Sequence, residues 1–231
     1  MPPNPRDPTL IAESEFPVQT PLAPDSANGN GNGGGGATSS GATVSKWARE
    51  FVVVLVVALV LAVLLRLFVV QTFFIPSGSM EPTLKIGDRI LVNKLSYHLH
   101  SVHRGDIVVF KRPADENCGG APVADLVKRV IGLPGETISV TKGIQSYVVV
   151  DGKRLDESWL PSSVQGQSFP GPEGTPYSLS KPYVIPADHY FVMGDNRTQS
   201  CDSRYWGPIS RSLIVGKVEL RIWPISTFHI F

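Results

Sequence analysis

Two serines and two prolines crowd residues 75–84, Ile75-Pro76-Ser77-Gly78-Ser79-Met80-Glu81-Pro82-Thr83-Leu84, just after a long apolar run. Pro76 fixes its own φ and drives Ile75 towards extended geometry, and Pro82 restricts Glu81 in the same way. Gly78 adds a point where the backbone can turn without a clashing side chain. The pattern predicts a stiff, irregular loop that presents Ser79, and a serine held this way can serve as a nucleophile. The same segment also fits a plain polar loop leaving a membrane span.

A serine hydroxyl is a weak nucleophile at neutral pH, so a neighbouring base must take its proton. Histidine is the usual base, and the chain has five. His98, His100 and His103 cluster within residues 97–103. On a strand, alternation would put His98 and His100 on one face, a spacing that suits a metal. No acidic or cysteine ligand accompanies them, so the segment reads as a solvated loop and no metal or other cofactor is expected. His189 and His229 have no suggestive neighbours.

Lys128 is the stronger candidate. It sits in Leu126-Val127-Lys128-Arg129-Val130-Ile131, a strand-like run in which Lys128 and Val130 face one way and Val127 and Arg129 the other. One of the two cations must therefore share a face with apolar neighbours. Lysine is the one that burial can neutralise, since desolvation lowers its pKa while arginine stays charged. A neutral Lys128 could act as general base towards Ser79; a lysine on a solvated strand face satisfies the same residues.

A third stretch, residues 193–207, is dense in hydrogen-bonding and charged groups. Asp195 or Asp202 with Arg204 or Arg197 could form a partly buried ion pair fixing the loop, and Ser200 could hold a lysine amine. Taken alone the stretch is a structural turn. Other serine signatures fail. There is no G-x-S-x-G elbow. The one S-x-x-K, from Ser178 to Lys181, is bracketed by Pro176 and Pro182, which would break the helix it needs.

The elements that must position these groups follow from composition. Residues 1–45 are rich in Pro, Gly, Asn, Ser and Thr and cannot bury enough apolar surface to offset their chain entropy, so they read as a disordered tail. Residues 51–70 are apolar apart from Arg66, as long as the ~20 residues a spanning helix needs. Arg66 stands near the far end, where it can snorkel to the interface. Lys46 and Arg49 before the span favour a cytoplasmic N-terminus. The net charge of +1 suggests no nucleic-acid partner.

After the span, short β-branched runs at 88–95, 106–110, 126–131, 136–141, 147–150, 190–193 and 213–223 alternate with turn signals. Asp151-Gly152 is a strong hairpin signal. No segment has the pattern of a three-turn amphipathic helix, so the fold class is mainly β, barrel-like or sandwich. Residues 157–188 read as a long surface excursion. Cys118 and Cys201, both after the span, could pair or remain free thiols.

In this order after an apolar span, these stretches resemble the type I signal peptidases, the leader peptidases of bacteria. The matching residues are Pro76-Ser77-Gly78-Ser79-Met80-Glu81-Pro82-Thr83-Leu84 and Gly87-Asp88 with Val92-Asn93-Lys94. They continue with Arg104-Gly105-Asp106-Ile107-Val108-Val109-Phe110 and Val127-Lys128-Arg129-Val130-Ile131-Gly132-Leu133-Pro134-Gly135-Glu136. The last are Gly194-Asp195-Asn196-Arg197 and Ser200 through Asp202-Ser203-Arg204-Tyr205-Trp206-Gly207.

The resemblance implies a signal-peptidase-like β-barrel or sandwich catalytic domain following one N-terminal transmembrane helix. It implies Ser79 as the nucleophile that forms an acyl-enzyme, and Lys128 as its general base. Ser77 Oγ and the Ser79 N–H would form the oxyanion hole. Ser200 would orient the Lys128 amine, and Asp195 and Arg204 would be structural supports. Ile75, Met80, Leu126 and Val127 would line a shallow apolar cleft suited to alanine side chains. The activity implied is removal of signal peptides from exported preproteins after a small-x-small motif, at the cytoplasmic membrane. Partners implied are preproteins, the lipid bilayer and the Sec or Tat export machinery.

The expected organisation is a cytoplasmic tail at 1–45, a transmembrane helix at 46–71 and an extracytoplasmic catalytic β domain at 72–231. Two alternatives stand beside it. One is a self-cleaving repressor-type Ser/Lys peptidase, which would need a DNA-binding helical region that this sequence lacks. The other is an inactive membrane-anchored β adaptor of the secretion machinery.

Overall fold

The computed structural model describes residues 40–119 and 123–231. The tail expected at 1–45 lies outside the described residues as far as residue 39. A helix, α1 (Ser40–Phe68), precedes the β domain. Its segment Ser45–Arg66, 22 residues with a mean hydropathy of 2.7, is long and apolar enough to cross a membrane. At about 1.5 Å per residue it reaches the ~30 Å of a hydrocarbon core. Its Val, Leu and Ala residues surround the axis, and none of that surface is covered by the rest of the chain. The helix starts before residue 46 and stops before residue 71. Its end is set by β1 (Val70–Phe74), whose backbone is claimed by a strand ladder.

The remaining strands are β2 (Arg89–Asn93), β3 (Ile107–Lys111), β4 (Asp125–Gly132), β5 (Thr137–Val140), β6 (Val148–Val150) and β7 (Lys153–Arg154). They continue with β8 (Tyr183–Val184), β9 (His189–Met193), β10 (Ile209–Ser210), β11 (Ile214–Trp223) and β12 (His229–Ile230). They form two antiparallel sheets. The larger runs β1-β2-β11-β3-β4-β9-β10, with β12 also on β11; the smaller runs β7-β6-β5-β8. This is the mainly β domain the strand spacing predicts, and each of the seven expected runs overlaps a strand. The hairpin at Asp151-Gly152 forms with φ of 49° and 75°, the two left-handed residues a tight two-residue turn needs.

Three apolar clusters hold the sheets. Ile107 and Val109 of β3 enter one with Ile75, Met80, Leu84, Ile90 and Val92, and Val108 and Phe110 enter another with Val130, Tyr190 and Trp206. Both faces of β3 are thus covered, and a strand buried on both faces reads as a continuous apolar run rather than an alternation. The third cluster packs Ile138, Val140, Val148 and Val150 of the small sheet against Ile131, Phe191 and Met193. Segment 157–188 is more than a surface excursion: it sends Leu160, Leu179 and Ile185 inside and supplies β8. Its Pro and Gly residues conceal three anchors spaced too widely to form a periodic pattern.

Candidate active site

The loop carrying Ser79 is anchored from below and from both ends. Ile75, Met80 and Leu84 are buried in one cluster. Ile75 N donates to Asp88 O, and Gly87 N donates back to Ile75 O, each at 2.9 Å. Between these anchors Gly78–Met80 forms a single 3-10 turn with extended backbone at Ser77 and Glu81. The steric role expected for Gly78 does not hold. Its φ is not left-handed, and an added Cβ would meet only the flexible Glu81 carboxylate, at 3.2–3.4 Å.

Strand β4 brings Lys128 to this turn. Lys128 Nζ lies 2.6 Å from Ser79 Oγ, joining residues 49 positions apart, and Ser77 Oγ lies 3.5 Å from the same hydroxyl. Lys128 is 4% exposed. Burial pushes its amine down from 10.5 to about 8, with Arg204 adding to the fall and Asp202 and Asp195 opposing it. The amine therefore loses its proton within a range a working enzyme can use, and its lone pair then faces the serine hydroxyl.

Alternation led to the expectation that one cation of the Lys128–Arg129 pair would be buried; both are, Arg129 being 5% exposed. Arg129 survives burial because Asp195 meets it in a fork, Nε to Oδ1 at 2.9 Å and Nη2 to Oδ2 at 2.6 Å. Asp195 also accepts from Thr83 Oγ1 at 2.6 Å, which ties the pair to the loop that carries Ser79. The partner expected for Asp195 was Arg204 or Arg197. The β4–β9 register, which sets Arg129 against Met193, puts Arg129 beside Asp195 instead.

Arg204 belongs to Asp202. Nε and Nη2 each donate to one carboxylate oxygen at 2.7 Å, and Nη1 donates to the carbonyls of Phe169 and Arg197. Burial works to raise the Asp202 carboxyl, but the charge and hydrogen bonds of Arg204, with the Gly194 amide at 3.0 Å, hold it below the usual carboxylate range. Arg197 pairs with Glu157 and donates to Ser168 Oγ. The sequence offered no signal for Glu157, which lies in the Pro- and Gly-rich segment.

The hydrogen bond expected between Ser200 and the Lys128 amine is not formed: Ser200 Oγ is buried and has no partner. It packs against Gly194. A Cβ added there would stand 2.2 Å from Ser200 Oγ and 2.3 Å from the carbonyl oxygen of Ser79. Gly194→Ala is therefore expected to push the loop that carries Ser79 out of place and lower kcat/KM about 100-fold, the usual penalty for displacing a group at an active site by about 1 Å. Steady-state cleavage kinetics check this, and unchanged activity would mean that the loop can give way.

Ser77, Ser79, Lys128, Leu126, Asn196 and Gln199 are among the residues lining an open cleft of about 370 Å³. A side cavity of about 60 Å³ adjoins Ser79 and Lys128 and is lined by all four expected cleft residues, Ile75, Met80, Leu126 and Val127. Cys118 and Cys201 form a disulfide, with Cα atoms 6.2 Å apart, on the rim of the cleft. Glu116 converges on the same two sulfurs, but sulfurs bonded to each other offer no thiolate, and Glu116 is paired with Arg112.

The histidine cluster is exposed. Residues Ser96–Leu99 form a helical turn rather than a strand, so His98 and His100 do not share a strand face. Ser178 bonds Ser180 at the surface, and Lys181 is exposed.

The family model described as signal peptidase, peptidase S26, matches residues 48–223. The chain is similar to a probable signal peptidase I-2 of Synechocystis sp., 40% identical over 74% of this chain and 71% of the relative. It is similar to a signal peptidase I of Leptolyngbya laminosa, 41% identical over 73% and 76%. Signal peptidase IB of Staphylococcus aureus is 36% identical over 78% and 91%. A crystal structure of a signal peptidase I from Enterococcus faecalis V583, 31% identical, covers 51% of this chain and 97% of its own, with a TM-score of 0.38. The chain therefore belongs to the peptidase S26 family of signal peptidases.

Proposed function

We propose that the protein is a membrane-anchored endopeptidase that removes signal peptides from exported preproteins after a small-x-small motif, with Ser79 and Lys128 as nucleophile and base. The observation that carries this reading is the 2.6 Å approach of Lys128 Nζ to Ser79 Oγ in a site that lowers the proton affinity of the amine.

In the first half of the reaction, neutral Lys128 takes the Ser79 proton as Oγ bonds to the scissile carbonyl carbon, whose oxygen becomes an oxyanion. Ser77 Oγ and the Ser79 N–H are the proposed donors to that oxygen. Collapse expels the new N-terminal amine of the mature protein, protonated by Lys128, and leaves the signal peptide esterified to Ser79. Lys128 then takes a proton from water, which hydrolyses the ester and restores the serine.

Asp195 and Arg204 support the site through their pairs with Arg129 and Asp202, and Ser200 fills the space behind Gly194. The side cavity beside Ser79 and Lys128, walled by the apolar side chains of Ile75, Met80, Leu126 and Val127, is the proposed seat of a small apolar side chain next to the cut.

The proposed location follows from reach. Only about eight residues separate the end of the apolar run from Ser79, under ~30 Å even when extended. The nucleophile then works at the depth where a signal-peptide cleavage site leaves the bilayer. Phe74, 59% exposed, suits the interface. Lys46 and Arg49 favour a cytoplasmic N-terminus, with the catalytic domain on the far side and preproteins delivered by the Sec or Tat machinery.

The test uses the full chain in detergent with a preprotein carrying Ala-x-Ala before its mature terminus. Mass spectrometry should place the cut directly after that motif, with no product from Ser79→Ala. The rate should rise as pH increases through about 8, where Lys128 loses its proton, and level off above. Persistent cleavage by Ser79→Ala, or a rate flat across that range, would sink the dyad.

A further inference from the structure

The geometry points to Asn196 as the positioning residue of the oxyanion site, a role that rests on Ser79 being the nucleophile. Asn196 touches both peptide groups that flank Ser79. Its side-chain Nδ2 donates to Gly78 O at 3.1 Å, and its backbone N–H donates to Ser79 O at 3.2 Å. A trans peptide is planar, with its C=O and N–H pointing in opposite directions. Holding Gly78 O therefore sets where the Ser79 N–H points, because the two belong to one plane.

That N–H is the donor whose direction matters most. In a 3-10 turn that begins after Ser77, the Ser79 amide precedes the first turn-closing bonds and has no partner within the turn. The Glu81 N–H also reaches Gly78 O, at 3.1 Å, but Glu81 belongs to the same loop and moves with it. Asn196 belongs to a different segment, 118 positions from Gly78. It is held there by neighbours: Asp195 is locked to Arg129 and Thr83, and Gln199 N donates to Asn196 O at 3.2 Å. The buried Arg129–Asp195 pair is thus connected, through one amide side chain, to the plane that carries the proposed oxyanion donor.

Asn196→Ala removes the side-chain bond and keeps the backbone one. Asn196→Asp keeps the shape but turns a carboxylate towards Gly78 O, so it cannot donate. Both are expected to lower kcat 10- to 100-fold, somewhat less than outright loss of an oxyanion donor. For Asn196→Ala, KM should stay within about twofold, and the pH profile and thermal unfolding should not move; Asn196→Asp adds a carboxylate to the cleft that holds Lys128 and should in addition move the acid limb up.

The discriminating probe is a peptide aldehyde ending in Ala-x-Ala. Ser79 Oγ adds to its carbonyl carbon, the proton passes to Lys128, and the carbonyl oxygen becomes the oxyanion. Its affinity should fall by the same factor as kcat, while that of the matching uncleavable peptide stays constant. A merely structural clamp would instead shift KM, unfolding or the pH profile. Unchanged kcat, or aldehyde and peptide affinities falling together, would overturn the proposal. Ser79→Ala is run alongside. Cleavage surviving there defeats the nucleophile assignment itself, whereas loss there with Asn196→Ala intact defeats only the role of Asn196.

Discussion

Lys128→Met is expected to reduce kcat/KM by about 10⁴-fold or more while making the folded protein more stable at pH 7. The activity loss follows from removing the amine that lies 2.6 Å from the Ser79 hydroxyl and is proposed to take its proton; deletion of a proton acceptor from a serine nucleophile has effects of this size. The gain in stability follows from the direction of the pKa shift. The folded state holds the Lys128 proton less tightly, about 8 against 10.5, so a charged Lys128 opposes folding. That opposition is complete below about pH 8 and fades as pH rises towards 10.5, where the unfolded chain is also neutral. It is on the order of 3 kcal/mol. Methionine carries no charge and fills a similar volume. Thermal unfolding of the two proteins in detergent at pH 7 and again near pH 10 gives the comparison: a large advantage for the variant at the lower pH and little at the higher. A variant that keeps a hundredth of the activity rules Lys128 out as the base. A variant no more stable at pH 7 means the amine is not desolvated.

Asp202→Asn should have the largest effect on stability, about 3–5 kcal/mol, because it leaves the Arg204 guanidinium, 0% exposed, without its counter-charge. The amide cannot replace the carboxylate. Asp202 accepts from Arg204 Nε, Arg204 Nη2 and the Gly194 N–H through its two oxygens, and an NH2 group in place of either one would face a donor. The wild-type pair depends on an ionised carboxylate held below its usual pKa, so its contribution is complete at neutral pH and is lost only when acid protonates it. The two sites are also coupled. Asp202 raises the Lys128 pKa and Arg204 lowers it, so the variant removes the larger of the opposing charges and leaves Arg204 countered by Asp195 and Glu116 alone. The acid limb of the cleavage profile should therefore move below about 8. Chemical unfolding measures the first effect and a pH series on the residual activity the second; a limb that stays put or moves up contradicts the electrostatic account.

Much of this architecture was legible because it is written in local patterns. The Pro-Ser-Gly-Ser-Met-Glu-Pro run forbids a long helix by φ restriction alone, and a 3-10 turn is what remains. The strand runs were readable because β-branched residues cluster between Gly and Pro turns, and Asp151-Gly152 supplied a hairpin that needs two left-handed residues. Lys128 stood out because it shares a strand face with Val130 and because burial, which leaves arginine charged, can neutralise lysine.

The partnerships were not legible, because they are set by register between distant strands. Arg129 faces Asp195 because β4 and β9 align Arg129 with Met193, and nothing near either residue encodes that offset. Glu157 reaches Arg197 from a segment whose composition suggests only a loop. The disulfide needed two cysteines 83 positions apart to meet, which spacing alone left open.

The chain alone determined that Ser79 would sit on a stiff loop and Lys128 on a strand, both after an apolar helix, since bond rotation, side-chain size and hydrophobic patterning act over a few residues. Only the tertiary structure decided that a serine and a lysine 49 residues apart would share a hydrogen-bond distance. It alone decided that the lysine would be dry enough to release its proton, because desolvation depends on every chain segment that closes over the amine.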